Sequence, residues 1–221
     1  MSPKKNNYHH GDLRKTLLKT TAQMIISEGL EKVSIREVAK RCGVSRTAPY
    51  RHFKNKNDLM CAVAEDGFKQ LKERYDQVAR IDVTNPLDRL KNIAIAYVTF
   101  AIENPGYYKL MFGNEVINQD RPTQLLEAAA TAYHVLILTI ENCKLEKKIP
   151  HEATDSLANA AWAMVHGLAT LIIDGQIQVV ESESPTPTLL TDSKRIPPKE
   201  MDELIHYTID KIINGIATKS D

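Results

Sequence analysis

Apolar residues recur every three or four positions along most of this chain of 221 residues, and no stretch sustains the alternation of a strand. The spacing predicts a first helix with Leu13, Leu17, Thr21, Met24 and Ile25 turned inward, capped by Asp12 and ending at Gly29. A shorter run follows, with Ile35, Val38, Ala39 and Cys42 on one face. Ser34 stands before it and Glu37 three residues later, the spacing of a capping box in which hydroxyl and carboxylate satisfy each other's backbone amides. Gly43 then supplies the left-handed residue with which helices commonly end. Ser45 is placed to cap another helix, about Arg46 to Phe53, too short to stand without packing. Within it Pro49 removes the first intrahelical hydrogen bond, so a tight, 3₁₀-like first turn is expected. Asn55, with Asp58 at the third helical position, opens a long helix running to about Ala79.

Beyond it, Asn85-Pro86 reads as cap and first helical residue for a segment carrying Leu90, Ile93, Ala94, Tyr97 and Phe100, which stops at Asn104-Pro105. A short aromatic helix, Gly106 to Phe112, comes next. Further helices are expected over Pro122–Lys144, from Pro150 to about Val179, and through the Ile-rich end of the chain to Ile216. Residues 181–198 are rich in Ser, Thr and Pro and read as a loop. The expected fold is all-α: an N-terminal three-helix helix-turn-helix domain over residues 11–71, and a helical domain over 72–221.

Residues 33–56 carry most of the chemistry. Arg46, Thr47, Tyr50, Arg51 and His52 offer guanidinium, hydroxyl and imidazole groups suited to base edges and phosphates. Lys56 lies at a helix N-terminus, where amides and an ammonium together favour a phosphate. Ser34, Arg36, Ser45 and Pro49 complete the set expected at the DNA surface. Geometry alone also fits two ordinary amphipathic helices with a solvated basic face. Charge separates the two readings. Residues 1–56 hold 13 Lys and Arg against 4 Asp and Glu, a net of +9, and the remainder carries −8, so the overall +1 conceals a basic head on an acidic body. Such a split is the footprint of a nucleic-acid reader. The basic arm before it, with Lys4, Lys5, His9 and His10, reads as flexible.

These residues resemble the TetR family of one-component bacterial transcription regulators. The likeness is strongest over His10 to Val63: a helix ending near Gly29, then S-I-R-E-V-A, C-G-V-S and Y-R-H-F-K-N-K. The run A-W-A-M-V-H-G-L-A, with Trp162, His166 and Gly167, is similar to the Trp-His-Gly signature of one class of C-terminal domain in that family. Where many members place Gly-Thr-Leu or Gly-Ala-Leu before the Tyr, this chain has Thr47-Ala48-Pro49. The resemblance implies a small-molecule pocket in the body. Its expected lining is Tyr97, Phe100, Met111, Phe112, Tyr133, Trp162, Met164 and His166, residues that an ordinary core would equally bury. Trp162 and His166, four apart, share a helix face.

The expected activity is therefore sequence-specific binding of a palindromic operator in double-stranded DNA by a regulator released by a small-molecule effector; activation in place of repression is the alternative. Dimerisation is expected through the last two long helices, because the Ala-rich stretch 158–169 permits close approach and one recognition helix reads only a few base pairs. No GxSxG, HExxH, phosphate loop or paired Cys/His set points to an enzyme, a cofactor or a metal site. A scaffold that binds protein instead of DNA fits the +9 head poorly. Cys42, Cys61 and Cys143 are scattered, odd in number and read as reduced thiols. No signal-like leader and no apolar run of membrane-spanning length is evident, so a cytoplasmic, nucleoid-associated protein is expected.

Overall fold

The computed structural model describes residues 10–117, 121–177 and 198–217. The basic arm through His9 and almost all of the Ser/Thr/Pro-rich segment lie outside the described residues. Nine α-helices and two 3₁₀ turns, with no strand, make up the described residues. They fall into two compact units: Met1–Gln70 with Asn104–Ala129, and Leu71–Glu103 with Ala130–Asp221. No single cut along the chain reproduces this division, because Asn104–Ala129 belongs with the first unit.

The first unit opens with α1, His10–Glu28; Asp12 lies within its first turn and not before it, correcting the expected cap. α1 buries Leu17, Leu18 and Met24 almost completely. After a 3₁₀ turn at Leu30–Lys32 comes α2, Ile35–Arg41. Its cap, Ser34, is extended (φ −137°, ψ 152°), and its Oγ accepts the Glu37 N–H at 3.2 Å. At the other end Gly43 turns left-handed at φ 67°. That lets Val44 N–H reach the Ala39 carbonyl and Gly43 N–H the Lys40 carbonyl, both at 3.1 Å, the paired bonds of a Schellman ending.

The predicted helix from Arg46 to Phe53 does not form. Its place is taken by a 3₁₀ turn, Ala48–Arg51. Pro49 is the cause: without an N–H, and with a ring that would meet the Ser45 carbonyl, it removes the first α-helical bond, and four-residue bonding returns only where Phe53 N–H reaches the Pro49 carbonyl at 2.9 Å. Ala48 N–H instead reaches the Ser45 carbonyl at 3.0 Å, and Tyr50 N–H the Thr47 carbonyl at 3.2 Å. Ser45 Oγ lies 3.2 Å from Thr47 Oγ1 and caps no helix. α3, Lys56–Ala79, then begins under two reciprocal caps. Asn55 Oδ1 accepts Asp58 N–H at 2.9 Å, and Asp58 Oδ2 accepts Lys54 N–H at 2.8 Å.

α5, Pro105–Phe112, packs on α1 so closely that a Cβ on Gly106 would sit 2.0 Å from the Ala22 carbonyl oxygen. Gly67 of α3 allows a similar approach, but a Cβ there would meet the movable Met111 side chain. A four-residue helix, α6 (Asn114–Ile117), follows; it and Leu30–Lys32 are too short to show a period in sequence.

The second unit is arranged around α4, Pro86–Glu103, which packs against α8 (Thr154–Ile173) and α9 (Pro198–Ile216). Asn85 caps α4 as expected, its Oδ1 accepting Leu87 N–H at 3.2 Å, and Pro86 stands first in the helix. α7, Thr123–Leu145, supplies Ile140 and Cys143 to this core; the buried thiol donates to the Pro86 carbonyl at 3.3 Å. α8 starts four residues after the expected Pro150. The Lys144 ammonium donates to the Glu152 carbonyl (2.6 Å) and Thr154 Oγ1 (3.0 Å), holding the connection short of the helix. It also ends earlier than expected, before a left-handed Gly175.

By length and composition alone α7 and α8 could cross a membrane, with mean hydropathies of 1.2 and 1.4, which corrects the expectation that no segment is long and apolar enough. The core helix of a soluble protein passes the same test. On α8, Ala160, Ala163, Met164, Gly167 and Leu171 are not buried.

Candidate nucleic-acid interface and ligand cavity

The turn Ala48–Arg51 is held from inside and displayed on the outside. Pro49 and Phe53 are buried, whereas Arg46, Thr47, Tyr50 and Arg51 are exposed and His52 half-buried. Tyr50, a large side chain left 50% exposed, has no packing reason to point outward. Ser34, Arg36, Ser45 and Lys56 are also exposed, so nine of the ten expected residues reach the surface and Pro49 shapes it from beneath. Lys56 is not a bare cation: its Nζ donates to the Leu30 carbonyl at 3.1 Å, which pins the Leu30–Lys32 turn to the start of α3. Arg41 is paired with Glu28 on α1, tying the end of α2 to its neighbour.

Arg14, outside the expected set, lies beside this surface. It is exposed on α1, and its guanidinium lies 5.7 Å over the Phe53 ring, next to the recognition turn. Stacking of this kind orients the fork without consuming its donors. The available signal was faint: a basic residue beside the inward Leu13, with nothing local to say what α1 would cross.

In the second unit, a cavity of about 30 Å³ lies among α4, α7, α8 and α9, with Tyr75 of α3. Leu90, Ile93, Ala161, Val165, Ile212 and Ile213 give it an apolar wall, and Tyr75, Tyr97 and Trp162 are its lining residues with polar side-chain groups. Trp162 Nε1–H, which can only donate, reaches the Tyr97 hydroxyl oxygen at 3.2 Å. The same hydroxyl is 2.9 Å from His166 Nδ1. Burial pulls the His166 imidazole below its ordinary pKa of 6.5, favouring the neutral ring. Tyr133 packs edge-on against Trp162 at 6.2 Å and donates to Asn159 Oδ1 at 2.8 Å.

Four of the eight expected ligand residues, Tyr97, Tyr133, Trp162 and His166, therefore form one connected group. The other four are placed elsewhere. Phe100 is buried in α4 away from the cavity lining. Met111 faces Gly67, and Phe112 meets Phe68 edge-on at 5.5 Å, both inside the first unit. Met164 is exposed on the open face of α8. Most of the cavity wall consists of aliphatic residues whose helical spacing is that of any core. Among the described residues no group of His, Cys, Asp and Glu is arranged to hold a metal ion.

Residues 17–63 match the family described as bacterial regulatory proteins, tetR family, and residues 90–191 match the tetracyclin repressor-like C-terminal domain. An HTH-type transcriptional regulator of Bacillus subtilis, YobS, is 29% identical over 163 residues, 73% of this chain and 80% of its own. The nucleoid occlusion factor SlmA of Vibrio campbellii is 32% identical over 125 residues, 53% of this chain and 63% of that protein. Among solved structures, a protein of unknown function from Rhodococcus sp. RHA1 superposes with a TM-score of 0.75 at 26% identity, covering 97% of this chain and 100% of the other. A TetR family transcription regulator from Marinobacter aquaeolei VT8 shares the fold at a TM-score of 0.66 and 14% identity, over 93% and 96% of the two chains. A basic head with an outward-facing recognition turn, a helical body and both domain matches lead to one assignment: the chain belongs to the TetR family, whose members are DNA-binding, ligand-responsive transcription regulators, mostly repressors.

Proposed function

We propose that this protein is a dimeric repressor that binds a palindromic operator through two copies of the Ala48–Arg51 turn and leaves it when a small molecule occupies the body. The observation that carries the reading is the exposed set Arg46, Thr47, Tyr50 and Arg51, held outward over a buried Pro49 and Phe53. Ser45, His52 and Arg36 flank the base-reading groups; Ser34 and Lys56 take phosphates beside the first turns of α2 and α3. Residues 11–71 act as the DNA-binding domain and 72–221 as the regulatory one. The working pair forms through α8 and α9, where Met164 and Leu171 stand exposed between the small residues Ala160, Ala163 and Gly167. A Cβ added to Gly167 meets nothing within 4 Å, so that face has room for a second backbone to come close. Two heads then read half-sites about 34–36 Å apart, one helical turn of DNA, or a multiple of it. Release follows because both heads must engage together, and an effector that favours another head spacing removes that joint binding. The site of action is the nucleoid within the cytoplasm.

The test is a selection of bound duplexes from a random DNA pool, followed by titration of the recovered site. A palindrome with half-site centres one turn apart, bound two chains per site with affinity falling steeply with salt, is the expected result. Recovery of unrelated sequences, or stoichiometric binding of one chain per site, would refute the reading.

A further inference from the structure

We propose that the cavity at Tyr97 takes an uncharged, mostly apolar small molecule bearing one hydroxyl or carbonyl group, seated by the Tyr97–His166 hydrogen bond. The inference rests on the effector role proposed above and names the chemistry of the ligand. Its first support is the wall. Among the lining residues there is no Asp, Glu, Lys or Arg, and the ones with polar side chains are Tyr75, Tyr97 and Trp162. An ionised carboxylate or ammonium drawn into such a place would lose its water and find no opposite charge, a loss that apolar contact does not offset.

The second support is the polar group itself. Trp162 Nε1–H donates to Tyr97, so it fixes the phenol oxygen as an acceptor on that side. The hydroxyl proton is then directed toward His166 Nδ1, 2.9 Å away, in the neutral ring that burial favours when its own proton sits on Nε2. A ligand hydroxyl enters this relay between Tyr97 and His166, accepting from one and donating to the other, and a carbonyl enters it by accepting the Trp162 N–H while Tyr97 keeps its bond to His166. A fully apolar molecule gains nothing from the relay; an ion can bond to it but finds no opposite charge among the lining residues.

Third, the cavity as it stands has room for little more than a water-sized group, so a larger ligand must displace wall residues. Those on α9, Ile212 and Ile213, are aliphatic, and retracting them exposes no buried charge. Occupancy thus acts directly on the packing of α9, one of the two helices assigned to the dimer.

Three probes of equal chain length decide the point: 1-decanol, decanoate and decylammonium, each titrated calorimetrically against the full-length protein below its aggregation limit. Decanol should bind about tenfold or more tighter than either ion, reflecting the cost of burying charge. Tyr97→Phe should weaken decanol several-fold, and Ala94→Leu, which fills the cavity, should abolish its binding. Equal or tighter binding of either ion, or no binding of decanol to the wild-type protein, would overturn the proposal, and that comparison needs no variant to fold. Decanol binding unchanged in a folded Ala94→Leu protein would overturn the location. An operator-shift assay with the same probes separates the two claims. Binding without release removes the regulatory reading and leaves the ligand class; release by a tighter-binding ion does the reverse.

Discussion

The recognition turn and the cavity at Tyr97 differ in how far along the chain their defining contacts reach. Around the turn, the caps join Ser34 to Glu37, Asn55 to Asp58 and Lys54 to Asp58, three or four positions apart. In the cavity, Tyr97 is bonded to residues 65 and 69 positions away. A surface made of local contacts is specified by short stretches of sequence and can be altered one side chain at a time. A cavity made of long-range contacts exists only when several helices have packed, and each wall residue serves the core as well as the ligand. Changes near the turn should therefore alter DNA reading with stability kept, and changes in the packed regions should move stability first.

The strongest challenge to that contrast is Gly106→Ala. The added Cβ falls 2.0 Å from backbone, which cannot rotate away, so destabilisation of about 3 kcal/mol is expected in urea unfolding. Gly67→Ala, whose Cβ would meet the movable Met111 side chain, should cost less than about 1 kcal/mol. Equal costs for the two would show that close packing of α5 on α1 is not what Gly106 serves.

Arg46→Ala or Tyr50→Ala should weaken operator binding by about 1–3 kcal/mol with the melting temperature unmoved. Loss of fold in step with loss of binding would break the separation of surface from core. Ser34→Ala bridges the two behaviours, since its hydroxyl caps α2 through the Glu37 N–H: about 1 kcal/mol of stability should go, visible as a lower urea midpoint. Arg14→Ala is a finer probe. If its guanidinium, poised over Phe53, takes a phosphate, the slope of log affinity against log salt should shrink by about one unit while base preference stays the same.

The smallest expected effect is a pH dependence in the body. The folded-state pKa of His166 lies below the ordinary 6.5, so the unfolded chain binds the proton first as pH falls. Stability should be fully present above pH 6.5 and decline as pH drops below it. In His166→Gln that part of the decline should vanish; an unchanged profile would mean that another group sets it.

Legibility in sequence follows the same division. Capping residues and left-handed glycines act within a few positions, so residue type and spacing suffice to place Ser34, Gly43, Asn55 and Asn85, and with them most helix ends. Pro49 is legible as a disturbance, yet its reach exceeds the single tight turn expected of it. It replaces the whole helix with a 3₁₀ turn, because no residue after it restores four-residue bonding before Phe53. The set of exposed polar residues around the turn follows from residue type. The cavity does not. Trp162 and His166 are visible as a pair on one face, but Phe100, Met111 and Phe112 have the same composition and periodicity and sit elsewhere. Which aromatic lines a cavity depends on helix crossings, and Arg14 escapes sequence reading for the same reason.

A turn clamped at both flanks by caps has a consequence for descent. Ser34, Gly43, Asn55 and Asp58 hold the scaffold, and none of them need change when Arg46, Thr47, Tyr50 or Arg51 does. With the base-reading role proposed for these side chains, copies of such a gene can drift to new target sites through a handful of outward substitutions, each tolerated by the fold. The framework residues stay put while the vocabulary of the protein diverges.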